Sequence, residues 1–146
     1  MNWLLDTNVI SETHRPKPSP LVVSWISDTP LSQLHTSSMN IAELVYGASK
    51  MDDMFKRRSL EEWIGKSVRP WFAGRIHQIT ESVLLHWRIL MREREMAREP
   101  APAVDLMIAA VALANSMGVV SRDALPFAKC GLPVFNPWTG ERFNGA

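Results

Sequence analysis

Four acidic side chains stand where apolar segments of this chain end or break. Asp6 follows Trp3-Leu4-Leu5, Glu43 interrupts Ile41-Ala42 and Leu44-Val45, Asp105 interrupts Ala103-Val104 and Leu106-Met107, and Asp123 closely follows Val119-Val120. An ionised carboxylate in such surroundings is costly unless it is paired or coordinated. Brought together, the four would form one metal-binding cluster. Clustered carboxylates offer only oxygen ligands, a donor set that selects hard divalent cations such as Mg²⁺ or Mn²⁺.

Each acid also has a plainer reading. Asp6, Thr7 or Asn8 is a suitable cap for a following helix. Asn40 with Glu43 three residues on has the form of a capping box. Asp105 in the first turn of its helix would meet the positive end of the helix dipole. Other chemistries lack their residues. His14, His35, His77 and His86 lack metal-ligand spacing, there is no cysteine pair for zinc, and no glycine-rich phosphate loop occurs. A phosphatase of the haloacid-dehalogenase class also begins with an Asp after an apolar strand. That class wants a second Asp two positions on, where this chain has Asn8.

The elements that must position the acids can be read from the hydrophobic pattern. Trp3 to Leu5 predicts a buried strand ending at Asp6, and ligand sites in open α/β sheets lie beyond the carboxyl ends of strands. Val9 to Thr13 predicts a short helix stopped near Pro16. Leu21, Val22, Trp25 and Ile26 predict an amphipathic helix begun by Ser19 and Pro20. A strand is expected within Leu31 to Ser37. The next helix starts at Ser37 or Ser38, with Ile41, Leu44, Val45 and Ala48 inward.

Residues 51–72 read as a helix with one apolar side, carrying Met54, Leu60, Trp63 and Ile64 and broken at Arg69-Pro70-Trp71. Arg75 to Thr80 is expected to be a strand. A long helix from Glu81 turns Val83, Leu84, Trp87, Leu90 and Met91 inward. The segment Ala103 to Ala114 holds eleven apolar residues and one charge, the mark of a helix buried all round. Gly118 ends it, Val119 to Ser121 and then Val134-Phe135 form short strands, and Asn136-Pro137-Trp138 ends the fold. One α/β domain over 1–146 is the expectation, with no internal repeat.

Length and composition agree with that. A chain of 146 residues can bury roughly two-thirds of its unfolded surface in one core. The lone Cys130 fits a reducing cytoplasm and a small buried role. The amino-terminal stretch lacks the basic start of a signal peptide, and no apolar run is long enough for a bilayer, so a cytoplasmic protein without membrane attachment is expected. A net charge of +1 gives no global basic field, so nucleic-acid binding would rest on a local patch. Lys56-Arg57-Arg58 is one such run, although a charge run on a helix is more often a solvated face.

Five stretches in this order carry a resemblance. They are Leu-Leu-Asp-Thr-Asn-Val-Ile-Ser-Glu at 4–12, Asn-Ile-Ala-Glu-Leu-Val-Tyr-Gly-Ala at 40–48, Pro-Ala-Val-Asp-Leu-Met-Ile-Ala-Ala at 102–110, Val-Val-Ser-Arg-Asp at 119–123 and Pro-Val-Phe-Asn-Pro-Trp at 133–138. Together the chain resembles the PIN-domain ribonucleases, and within them the VapC and FitB-like toxins of bacterial toxin–antitoxin pairs. The resemblance implies a PIN-like α/β fold, a central, mostly parallel β-sheet flanked by α-helices. It places the family's second acid at Glu43.

The resemblance further implies an endoribonuclease dependent on Mg²⁺ or Mn²⁺, with Asp6 and Asp105 as principal ligands and Glu43 and Asp123 holding metal directly or through water. Thr7, Asn8 and Ser121 would orient carboxylates or bound water. The family's usual Thr is Ser121 here, and the acid that many relatives carry before the Phe is Pro126. The implied partners are RNA, a small cognate antitoxin and a second copy of the chain in a homodimer. An apolar groove lined by some of Trp25, Trp63, Trp71 and Phe72 is the expected antitoxin surface. A catalytically weak PIN-like module that only binds nucleic acid or antitoxin is the alternative of another class.

Overall fold

Alternation along the central strands decides which helices cover which face of the sheet. The computed structural model describes residues 1–146. Its strands are β1 (Trp3–Leu5), β2 (Leu34–Ser37), β3 (Ile76–His77), β4 (Gly118–Val120), β5 (Val134–Phe135) and β6 (Arg142–Phe143). They form one sheet in the order β3-β2-β1-β4-β5-β6, parallel except for the β5–β6 pair. The register sets Leu4 beside Val119 and Val119 beside Val134, and one residue on it sets Leu5 beside Val120 and Val120 beside Phe135. Successive strand residues point to opposite faces, so these two rows seed two cores.

The helices are α1 (Thr7–Glu12), α2 (Pro20–Asp28), α3 (Ser38–Ser49), α4 (Met54–Trp63), α5 (Arg69–Trp71), α6 (Glu81–Met96), α7 (Ala103–Ala114) and α8 (Ala124–Ala128). The Leu4 row packs with Val83 and Leu90 of α6, Leu106 to Ala112 of α7 and Phe127 of α8. The Leu5 row packs with Val9 and Ile10 of α1, Val22 of α2, and Ile41, Leu44 and Ala48 of α3. As its composition requires, α7 is buried continuously from Leu106 to Ala112. No helix is long and apolar enough to cross a membrane.

Opposite Trp3 the register places Gly118. A Cβ there would stand 2.6 Å from Trp3 Cζ3, so the close approach of β1 and β4 at this end requires glycine.

Several boundaries differ from the sequence expectation. The strand expected within Leu31 to Ser37 occupies Leu34–Ser37, after a 3₁₀ turn at Leu31–Gln33, whereas the strand expected from Arg75 to Thr80 contracts to Ile76–His77. The helix of residues 51–72 does not break at Pro70. It starts at Met54, capped by Asp53, and runs through a π-helical turn at Ile64–Val68 into α5. Pro70 falls just after the π-helical turn, near the end of this continuous helical stretch.

Val45 and Leu84 face water at 43% exposure each, since the buried stripes of α3 and α6 are narrower than the apolar residues in them. The fold also continues past Trp138 into β6, whose two residues are too few to show a pattern. The four aromatic residues from which a groove is expected to draw its lining do not share one cavity, although the Trp71 and Phe72 rings touch at 4.4 Å between centroids. Phe72 is fully buried, Trp25 lies against Trp3 and Phe135, and Trp63 and Trp71 line different cavities.

Candidate active site

Chain connectivity makes a site between β1 and β4. From β1 the sheet extends one way to β2 and the other way to β4, which leaves a crevice at the carboxyl ends of these neighbours. Asp6 N–H donates to Val120 O at 2.9 Å, so Asp6 continues the ladder one residue past β1. Its side chain then turns away from the strand and remains buried, at 7% exposure.

A hydrogen-bond network fixes that carboxylate. Oδ1 accepts from Thr7 N–H at 2.7 Å and from Asn40 Nδ2 at 3.4 Å, and Oδ2 accepts from the Ser121 hydroxyl at 2.6 Å. Ser121 Oγ in turn accepts from Asn8 Nδ2 at 3.3 Å and from Asp123 N–H at 3.1 Å. Asn8 Oδ1 accepts from Arg122 N–H at 3.2 Å. Asn40 Nδ2 also donates to Thr7 Oγ1 at 3.1 Å, while its Oδ1 accepts from Ser37 Oγ at 2.5 Å. Thr7, Asn8 and Ser121 thus all act on Asp6 directly or at one remove.

Asn40 is the member of this network that the sequence pattern placed elsewhere. Ser37, not Asn40, is the N-cap of α3, accepting from Asn40 N–H. The capping-box reading of Glu43 therefore fails. The available signal for Asn40 is its helical spacing from Glu43, since residues three apart share a face.

Asp6, Glu43, Asp105 and Asp123 all line one cleft of about 300 Å³, together with Thr7, Asn8, Ser11, Val104 and Ile108. The acids come from four separate places: the end of β1, the middle of α3, the first turn of α7 and the residue before α8. No lysine or arginine lines this cleft. Burial pushes the Asp6 carboxyl above its ordinary range, the bonds from Ser121 and Thr7 pull it back, and the charges of Asp105 and Asp123 push it up again. Asp105 is likewise raised, first by burial and then by Asp123 and Glu43.

Such mutual repulsion with no basic neighbour is what a cation would relieve. The donor set of carboxylate oxygens therefore fits a hard divalent ion. The acids stand apart, no three of them forming a closed ligand set. Asp6 is also the cap of α1 and Asp105 also lies in the first turn of α7, so the plainer roles coexist with the shared cleft. Asp123 precedes α8 without capping it through its side chain. Pro126 lines a different cavity, beside Arg94 and Glu99.

Residues 3–130 match the PIN domain. The chain belongs to the PIN domain family. Its similarity to individual PIN proteins spans nearly the whole chain. It is 38% identical to the plasmid stability protein StbB of Pseudomonas syringae pv. tomato, over 92% of this chain and 97% of that protein. It is 36% identical to the toxin FitB of Neisseria gonorrhoeae, again over 92% and 97%. It is 32% identical to the VapC ribonuclease Y4jK of Sinorhizobium fredii, over 92% and 96%. The crystal structure of FitAcB from Neisseria gonorrhoeae superposes with a TM-score of 0.88, at 36% identity, covering 93% of this chain and 98% of the matched chain. Membership in the PIN family removes the haloacid-dehalogenase alternative.

Proposed function

We propose that this PIN domain is the toxin of a toxin–antitoxin pair and that it hydrolyses RNA phosphodiester bonds with the help of a divalent cation. The observation that carries the reading is the convergence of four carboxylates from four elements on one cleft without a basic residue among its lining. The names of its relatives, a toxin and a VapC ribonuclease, support it.

Asp6, Glu43, Asp105 and Asp123 would hold Mg²⁺ or Mn²⁺. Such an ion supplies a nucleophilic water at neutral pH and neutralises charge on the phosphodiester. The chain's own contribution is orientation. Ser121, Thr7 and Asn40 lock the Asp6 carboxylate in one rotamer, and Asn8 holds Ser121 in place. Asp123 is exposed and stands where substrate would approach. No histidine lines the cleft, so the reading has water, not the 2′-hydroxyl, as nucleophile. Single-stranded or looped RNA is the expected substrate, since its bases can be splayed out and read.

A small antitoxin covering the site and a homodimer complete the proposal. Exposed apolar side chains support partner surfaces, among them Leu21, Tyr46, Phe55 and Leu85. The decisive test incubates the purified chain with synthetic single-stranded RNA, with Mg²⁺, with Mn²⁺ and with EDTA, and then maps the ends. Cleavage should need metal and leave 5′-phosphate and 3′-hydroxyl termini. Cyclic-phosphate ends or robust cutting in EDTA refute the mechanism. RNA or antitoxin binding with no cutting under any metal supports the binding-module alternative instead.

A further inference from the structure

A second cavity opens beside the acid cleft and shares Thr7, Ser11 and Glu43 with it. Its far wall is aromatic. His14, just after α1, stacks on Trp63 at the end of α4, with ring centroids 4.5 Å apart and planes inclined by 23°. Both residues are half-buried and both line the cavity. Leu44, Gly47, Ala48, Leu60 and Ile64 complete the lining.

We propose that this cavity receives the nucleobase next to the scissile phosphate and so sets the base preference of cleavage. The inference rests on the ribonuclease reading above and adds a specificity site to it. Size narrows the occupant. At about 240 Å³ the cavity lies below the roughly 300 Å³ at which pockets for drug-sized ligands begin. That suits one planar base better than a helix or a folded segment.

The position argues the same way. A nucleotide whose phosphate lies among the four acids has its base one sugar away, and this cavity adjoins the cleft across the shared wall of Thr7, Ser11 and Glu43. Unpaired RNA bases are commonly held by stacking on aromatic side chains. The stacked His14–Trp63 wall offers such a surface, while the Ser11 hydroxyl at the shared wall can read a base edge.

Gly47 supplies the means of testing this without touching the acids. A Cβ built on Gly47 meets nothing within 4 Å. A larger side chain there extends into the cavity, and the backbone has no reason to move.

The experiment uses a cleaved RNA and a set of copies in which each position flanking the cut carries, in turn, an abasic ribose. With the unmodified protein and Mg²⁺, loss of one particular base should lower kcat/KM by about 5- to 150-fold, the range that stacking of one base is worth. Gly47→Leu and Trp63→Leu should cut the intact and the abasic RNA at the same reduced rate. Gly47→Leu keeps the test available if Trp63→Leu fails to fold.

An unmodified protein that cuts in a metal-dependent way yet ignores every flanking base overturns this inference alone. Gly47→Leu that retains the full penalty for the missing base does so too. Gly47→Leu that cuts with unchanged base preference but no longer retains a co-expressed antitoxin assigns the cavity to a protein side chain instead. Absence of any cutting by the unmodified protein removes the ribonuclease reading and this inference with it.

Discussion

The two sides of the acid cleft are built differently. On the strand side the Asp6 carboxylate accepts three hydrogen bonds, and the groups that supply them are held by Asn8 and Ser37 in turn. On the helix side Asp105 draws on no hydrogen bond at all, and only burial and neighbouring charges act on it. One side is a fixed anchor, whereas the other keeps its lone pairs free. A hydrogen-bonded carboxylate holds its orientation without a ligand, while an unbonded one reaches its best partner only when a cation arrives. The cleft therefore pairs a preset oxygen with oxygens left unused by the fold.

Removing an acid from either side should have the largest effect. Asp6→Asn and Asp105→Asn should each lower single-turnover RNA cleavage by roughly a thousandfold or more, because metal-assisted stabilisation is worth several kcal/mol. Full activity in either variant breaks the idea that the two sides act as one site.

Next comes the lesion that only the strand side can suffer. Ser121→Ala leaves Asp6 Oδ2 without its donor and should reduce activity or metal affinity by about 10- to 100-fold, the usual effect of losing a group that orients a ligand. Titrating Mg²⁺ against the initial rate measures it, and an unchanged titration curve removes the anchor from the comparison.

Gly118→Ala strikes β4 at the end away from the cleft, where the new methyl group meets the Trp3 ring. It should destabilise the fold by about 1–3 kcal/mol through overpacking. Denaturant unfolding reads that loss, and kcat at a temperature where the variant stays folded should not change. A fall in kcat there would mean that the cleft depends on the far end of the strand.

The smallest effect is on the metal-free fold. The Asp105 carboxyl is raised above its ordinary value in the folded chain, so the folded state binds that proton more tightly than the unfolded state does. Stability of the metal-free protein should then fall as pH rises from about 4, the ordinary carboxyl value, through the raised one, and stay lower above it. Asp105→Asn abolishes this contribution and should raise the melting temperature in EDTA at neutral pH by at most a few degrees. Asp6→Asn should gain less. Its new amide would face Ser121 Oγ, which already accepts from Asn8 and from Asp123 N–H. A lower melting temperature for Asp105→Asn would show that the acid stabilises the fold without metal.

Much of the fold and of the cleft is legible in the chain because it is local. A charge at the end of Trp3-Leu4-Leu5 or within Ala103 to Ala114 stands out against its neighbours. One α/β domain is expected from strands that alternate with helices, its mostly parallel sheet from the family resemblance, and the buried α7 from its composition. Asn40 misleads because a cap and a hydrogen bond to a distant Asp6 look alike in sequence. Which of the aromatic residues share a cavity is not legible either, because a residue's type does not say which neighbours its ring meets.

Local patterning was enough to set the four acids at strand ends or inside apolar helices and to call for one α/β domain to carry them, since both are properties of residues near one another in the chain. Tertiary packing was needed to close Ser121 and Asn40 on Asp6, to bring His14 against Trp63 beside Glu43, and to leave one side of the cleft bonded and the other free. Those contacts join segments tens of residues apart, and their geometry is fixed by strand order and helix packing, which no local pattern records.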